Sequence, residues 1–259
     1  MQETQSPAHL PNGGISVPRD TGEEKAKTYG IIERALREIC GVDMRISVKV
    51  LADFMLASDA RRRSIIRDSK FPKLKDGKPK PQIVRYSEAR AAIRDYHASN
   101  NDLNVLVGEI EKLIKKKAEH PEKDPARIDD NIRAIKAYIA HFSKNAFVVL
   151  TTPRPVYGSG GVEVSATPDL YVEENGVKRL IKLDFNQQKP RERAIEIILK
   201  VMHEAASLQQ LGIKPRDVLY LDVSRRTRHT GAKLNKSLKK DIDAALATIQ
   251  DMWANIKQN

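Results

Sequence analysis

The sequence has a single cysteine, Cys40, and aromatic residues make up only 5% of its 259 residues. One cysteine cannot form an intramolecular disulfide, so a reducing, cytoplasmic compartment is expected. No apolar run approaches the roughly 20 residues that a membrane-spanning helix needs, and the polar first twenty residues do not resemble a signal peptide. We therefore expect a cytoplasmic protein with no membrane partner.

Several catalytic motifs are also absent. The six histidines show no H-E-x-x-H or Cys/His spacing, so no zinc site is expected. The GSGG stretch at residues 158–161 lacks the Lys-Ser/Thr pair of a P-loop and predicts a turn between two strands. No G-x-S-x-G elbow is present, which argues against acyl transfer.

Positive charge is abundant. The chain carries 46 lysines and arginines against 34 aspartates and glutamates, a formal net charge of +12. A positive field favours polyanionic partners, because cationic side chains neutralise phosphates and release their condensed counterions. The alternative is that the charge only keeps the protein soluble.

Composition divides the chain into three regions. Residues 1–20 contain too few apolar groups to offset the entropy of ordering and are predicted to be a flexible arm. Residues 21–122 are predicted to be a helical basic region that begins at the capping box T-G-E-E. Residues 123–259 are predicted to be an α/β core with a C-terminal helix. In the helical region one stripe is predicted to face the core: Leu103, Leu106, Val107, Ile110, Leu113 and Ile114.

The hydrophobic pattern becomes strand-like near Asn145. Three β-rich runs, at 145–158, 162–176 and 177–186, are separated by the turn signals GSGG and ENG and predict an antiparallel meander. A helix that begins at Pro190, a buried strand RDVLYLDV and a final amphipathic helix follow. From about residue 125 the predicted order is α-β-β-β-α-β-α.

Charged side chains alternate with apolar ones along RLIKLDFN, so Lys182 and Asp184 are expected on one face of the strand. If this strand pairs with the preceding one around the ENG turn, Asp169 approaches Lys182 or Asp184. Two neighbouring carboxylates suit Mg²⁺, and a nearby lysine can orient water or stabilise negative charge. A cross-strand ion-pair cluster on a solvated sheet face is the alternative.

This order of elements, with Pro168-Asp169 on the second strand and an acid on the third, resembles the restriction-endonuclease-like PD-(D/E)XK superfamily over roughly residues 125–230. The resemblance implies an α/β fold with an αβββαβ core, a mixed sheet flanked by helices, joined to the N-terminal helical region. It also implies a nuclease site where the P-D aspartate and the third-strand acid bind Mg²⁺, with Mn²⁺ as a substitute. The lysine two residues after that acid assists the attacking water.

The third strand departs from the superfamily pattern, and two alignments are open. In the first, Asp184 is the acid, Asn186 takes the place of the lysine, Lys182 supplies the charge, and Glu163 offers a further metal ligand. In the second, Lys182 occupies the acid position, pairs with Asp169 and fills the space that a metal needs. The first alignment, favoured because it keeps both carboxylates, predicts a Mg²⁺-dependent nuclease. The second predicts a degenerate, non-catalytic module that binds nucleic acid or an acidic protein partner.

Two basic patches hold most of the excess charge. The first spans residues 61–85, and the second spans residues 224–240, directly after the predicted buried strand. Such patches contact phosphates without choosing a sequence, so the expected partner is nucleic acid, with DNA favoured over RNA. A solvated basic face is the alternative. The expected nucleic-acid-binding residues are Arg61, Arg62, Arg63, Arg67, Arg225, Arg226, Arg228, Lys233 and Lys236.

Overall fold

The computed structural model describes residues 44–72, 85–122, 124–233, 235 and 237–257, with the backbone of residues 74–75 and 78–79. The predicted arm at residues 1–20, the capping box that follows it and Lys236 lie outside these residues. None of the described helices is long and apolar enough to cross a membrane.

The described residues form an α/β arrangement. Its helices are α1 (Val48–Met55), α2 (Asp59–Lys70), α3 (Ser87–Ala98), α4 (Leu103–Glu119), α5 (Pro125–Phe142), α6 (Glu192–Leu208) and α7 (Leu238–Asn255). Its strands are β1 (Met44–Ser47), β2 (Leu74–Lys75), β3 (Lys78–Pro79), β4 (Val148–Val149), β5 (Val156–Ser159), β6 (Val162–Ser165), β7 (Leu170–Glu174), β8 (Val177–Asp184), β9 (Val218–Asp222) and β10 (Thr227–Thr230). Two 3-10 turns, Pro215–Asp217 and Gly231–Lys233, complete these elements.

A five-stranded mixed sheet lies at the centre, with the strand order β10-β9-β8-β7-β4. Strands β8 and β9 run parallel, and the other neighbouring pairs are antiparallel. The predicted ENG turn joins β7 to β8, and its residues Asn175 and Gly176 both have positive φ, as the tight turns that match strand twist require. The parallel pairing of β8 with β9 uses α6 as its crossover helix.

A second sheet has the order β1-β6-β5, with β1 parallel to β6. The meander prediction therefore needs correction, because the first two β-rich runs each divide between the two sheets. Pro153 and Pro155 separate β4 from β5, and Pro168 lies between β6 and β7. Proline has no N–H to donate to a ladder, so these positions interrupt the strands.

Two hydrophobic cores lie on opposite faces of the five-stranded sheet. Leu180 of β8 belongs to one core, with residues of α1, α2, α6 and α7, whereas Ile181 and Leu183 belong to the other, with residues of α3 to α5. The alternation predicted along this strand is therefore observed. Since Leu180 lies on the first face, the same period of two directs Lys182 and Asp184 there.

Helix α4 differs from its prediction. Of its expected core stripe, Leu106 and Leu113 are buried, but Leu103, Val107 and Ile114 are 44%, 41% and 52% exposed. The helix packs mainly against α3 and α5, so only one narrow face is covered. The apolar stripe is wider than the surface that its neighbours offer.

Candidate nucleic-acid interface

Asp169 lies immediately before β7, at the start of the strand pair that β7 forms with β8. Leu170 pairs with Ile181, so the next position places Asp169 opposite Lys182. Asp169 Oδ2 accepts a hydrogen bond from the Leu183 N–H at 2.8 Å, and Oδ1 lies 3.3 Å from Lys182 Nζ. Arg90 of α3 adds a second cation, with Nε 3.1 Å from Asp169 Oδ1. One mostly buried carboxylate therefore accepts two hydrogen bonds and lies beside two cations.

Lys182 makes a second hydrogen bond besides its contact with Asp169. Its Nζ also donates to the carbonyl oxygen of Thr167 at 3.1 Å. Burial lowers the pKa of Lys182, and the opposing attraction of Asp169 favours its charged form. The residue opposite Asp169 is thus Lys182.

Asp184 forms a neighbouring polar centre at the end of β8, where its side chain is 3% exposed. Tyr220 of β9 donates its hydroxyl to Asp184 Oδ2 at 2.7 Å, and Asn186 Nδ2 donates to Oδ1 at 2.8 Å. Lys49 of α1 lies 3.4 Å away, measured from Nζ to Oδ1. Burial, with the neighbouring Asp184, raises the pKa of Tyr220, so this phenol stays a neutral donor.

The three predicted metal ligands do not lie on one sheet. Glu163 lies on β6 in the other sheet, opposite Arg45 of β1 and Gly158 of β5. Within the described ranges, no three His, Cys, Asp or Glu side chains form a group that could hold a metal ion. Asp169 and Asp184 are each paired with a lysine ammonium, which supplies the positive charge that a cation would bring.

A cleft of about 880 Å³ opens beside Asp184. Its walls come from α1, α2, α5, the segment after β8 and the beginning of α6. Buried residues form its inner surface: Ala52, Ile65, Ile198 and Tyr220. Three acidic side chains line it, Asp53, Asp130 and Asp184, against six basic ones, Lys49, Arg61, Arg85, Arg133, Lys189 and Arg191.

Only some of the predicted phosphate-binding residues of the first basic patch line this cleft. Arg61 is exposed and lines it, whereas Arg63 and Arg67 are exposed on the same helix, α2, outside the lining. Arg62 already has partners within the protein, since its Nε donates to the Phe54 carbonyl at 3.1 Å and its guanidinium pairs with Asp59. One of these four predicted phosphate ligands thus lies in the cleft itself.

The second basic patch also divides into internal and exposed residues. Arg225 donates to the carbonyl oxygens of Asn186 and Gln187 and pairs with buried Asp222. It thereby connects the segment after β8 to the end of β9. Arg228 pairs with Glu174 at 2.8 Å. Of the other residues of this patch that were predicted to bind nucleic acid, Arg226 and Lys233 are exposed.

Three residues of these centres were not expected from the sequence. Lys49 reaches Asp184 because α1 follows β1, a strand that the sequence did not predict. Arg90 belongs to a helix that is distant in sequence, and no local pattern connects it with Asp169. A role for Tyr220 could have been predicted from the sequence, because a hydroxyl in a strand buried on both faces needs a hydrogen-bond partner.

Comparison of the sequence with models of known protein families and with curated proteins found no match.

Proposed function

We propose that this protein binds nucleic acid through its phosphates, on a core of the PD-(D/E)XK type that does not hydrolyse the bound strand. The single observation that carries the proposal is the pairing of Lys182 with Asp169, at 3.3 Å, in the position where a nuclease of this type needs a second acid. A carboxylate already neutralised by a buried lysine has little affinity for a divalent cation.

The order of elements supports the superfamily resemblance. Helix α5, strands β4, β7 and β8, helix α6 and strand β9 follow the order αβββαβ within one sheet. The hairpin of β5 and β6 is then an insertion between the first and second strands of this core. The aspartate of Pro168-Asp169 lies at the start of the second strand, as the superfamily motif requires.

The third strand of this core differs from the superfamily pattern. The superfamily pattern places a lysine two residues after the acid, whereas here Lys182 precedes Asp184 by two residues. The two charges have exchanged positions, so the lysine faces Asp169 and the acid faces Tyr220 and Lys49. This exchange favours the non-catalytic alternative over the Mg²⁺-dependent nuclease.

Charge supports nucleic acid as the partner. The net charge of +12 and the excess of six basic over three acidic side chains in the cleft favour a polyanion. Because phosphate contacts release counterions, the logarithm of affinity falls by about 0.9 per contact for each tenfold rise in salt. DNA is the preferred partner in this proposal, and RNA and an acidic protein are the alternatives.

The test combines binding with an activity assay. Fluorescence anisotropy of labelled DNA, over a series of salt concentrations, should show affinity that falls steeply with salt, and polyglutamate should compete weakly. The same protein with Mg²⁺ or Mn²⁺ should leave DNA and RNA intact. Metal-dependent cleavage that is lost in Asp169→Asn and Asp184→Asn, but kept in the control Glu163→Gln, would overturn the proposal. Equal competition by polyglutamate and DNA would favour an acidic protein partner.

A further inference from the structure

Two helix N-termini open onto the same cleft. The N-cap of α2 is Ser58 and that of α6 is Arg191, and both line the cleft. In the described residues, neither N-cap makes a side-chain hydrogen bond to its helix. First-turn N–H groups that a side chain does not cap are donors for an anion, and the helix dipole adds positive potential there.

Basic side chains surround these helix ends. Arg61, in the first turn of α2, and Lys189, just before α6, are exposed and line the cleft, and Lys49 lies deeper beside Asp184. The first-turn acids of the two helices, Asp59 and Glu192, lie outside the lining. The acid among these cations is Asp53, whose charged neighbours include Lys49 and Arg61, so an anion in the cleft meets a surface of net positive charge.

The remaining lining suits the rest of a nucleotide. Asn186, Gln187 and Gln188 follow one another along the segment after β8, and all three are exposed at the cleft. The Asn186 amide already donates to Asp184. The amides of Gln187 and Gln188 combine donors and acceptors, which is the chemistry that recognises the edge of a base or a ribose hydroxyl. A volume of about 880 Å³ lies in the range of small-molecule sites and is backed by buried residues.

We infer that this cleft binds a phosphomonoester on a nucleotide-sized group, and specifically the terminal phosphate of a nucleic-acid strand. The identification of the strand end rests on the proposed function. A phosphomonoester carries about −1.5 to −2 charges at pH 7, whereas each internal phosphodiester carries about −1. Two helix N-termini, with Arg61 and Lys189 beside them, match the more highly charged group.

The experiment compares single-stranded DNA oligonucleotides of one sequence that carry a 5′-phosphate, a 3′-phosphate or only hydroxyl ends. By fluorescence anisotropy, one of the phosphorylated strands should bind about tenfold more tightly than the hydroxyl strand, since 1.4 kcal/mol corresponds to tenfold. Arg61→Gln should remove most of this difference. Arg63→Gln is the matched control: Arg63 is exposed on the same helix but does not line the cleft, so any loss of affinity in this variant should be equal for all three strands and should keep their ratio.

A second pair of variants tests whether the loss of any positive charge would have the same effect. Lys189→Gln should reduce the preference for the phosphorylated end, whereas Lys178→Gln, at an exposed residue of β8, should leave it intact. Thermal unfolding of all four variants checks that each is folded. Equal affinity for all three strands, or equal loss in Arg61→Gln and Arg63→Gln, would overturn the terminal-phosphate site and leave general nucleic-acid binding in place.

Free ligands separate a strand end from other sources of phosphate. A nucleoside monophosphate and inorganic phosphate are titrated by calorimetry against the wild type and Arg61→Gln. If no oligonucleotide binds but the nucleoside monophosphate binds and loses affinity in Arg61→Gln, the proposed function is wrong and the phosphate site is supported for a free nucleotide. Binding of neither kind of ligand would overturn both conclusions.

Discussion

Lys182 and Asp169 face each other across β8 and the start of β7, with 3.3 Å between Nζ and Oδ1. Both side chains are mostly buried, at 14% and 10% exposure. The pair therefore differs from the solvated cross-strand cluster that the sequence also allowed. Removal of either member leaves the other charge in a partly desolvated site.

A double-mutant cycle measures this relationship. Asp169→Asn, Lys182→Met and the double variant should give a coupling energy of about 1–3 kcal/mol in urea unfolding, as expected for contacting partly buried groups. The exposed pair Arg193 and Asp241, with side chains 40% and 52% exposed, is the control and should give less than about 1 kcal/mol. Similar coupling in both pairs would show that Lys182 and Asp169 are effectively solvated.

Tyr220→Phe tests the second polar centre. The variant keeps the ring but removes the hydroxyl that donates to buried Asp184, so the free energy of unfolding should fall by about 1–3 kcal/mol. Tyr171→Phe is the control, since the Tyr171 hydroxyl has no hydrogen-bond partner within the described ranges. Equal losses in the two variants would contradict a specific role for the bond to Asp184.

Acid sensitivity should depend on His97. This side chain is 2% exposed, and its Nδ1 and Nε2 lie 2.6 Å from Asn101 Oδ1 and the Tyr138 hydroxyl. A neutral ring that donates from Nδ1 and accepts at Nε2 satisfies both contacts. Burial lowers the pKa of His97 below its usual 6.5. Below pH 6.5 the unfolded chain consequently binds a proton that the folded chain does not, and stability falls as the pH is lowered.

Urea unfolding between pH 7.5 and 5 checks this sign. The free energy of unfolding should fall more steeply in the wild type than in His97→Gln, which cannot bind that proton. Parallel pH profiles of the two proteins would show that His97 does not contribute to acid sensitivity.

Adjacent residues of α4 provide a direct test of its one-sided burial. Leu113→Ala should cost about 2–5 kcal/mol, because Leu113 is 2% exposed in the helical layer. Ile114→Ala, at a residue 52% exposed, should change stability by less than about 0.5 kcal/mol. Comparable losses would indicate that Ile114 is covered in solution.

The sequence predicted those features that depend on local chemistry. Alternation along β8, the ENG turn and the buried strand β9 all follow from period and turn composition, and each is observed. The division of the β-rich runs could have been anticipated from Pro153 and Pro155. The assignment of the resulting strands to two sheets could not, because it depends on pairing with β1, which comes from a distant part of the chain.

The candidate site was less predictable for the same reason. Register alone decides whether Asp169 meets Lys182 or Asp184, and a shift of pairing changes every opposing residue. Lys49 and Arg90 enter through helices that are remote in sequence. Helix α4 illustrates the limit of periodicity, since an apolar stripe does not reveal how much of it the neighbouring helices will cover.

The parallel pairing of β1 with β6 has a consequence for the order of folding. This contact closes a long stretch of chain that includes α3, α4 and α5, and closure of a long loop costs entropy before its contacts form. Lys49 follows β1 directly, so we expect it to reach Asp184 only after the second half of the chain has folded. During synthesis from the N-terminus, the lining of the cleft is complete only after Tyr220, its last residue in sequence, has emerged from the ribosome.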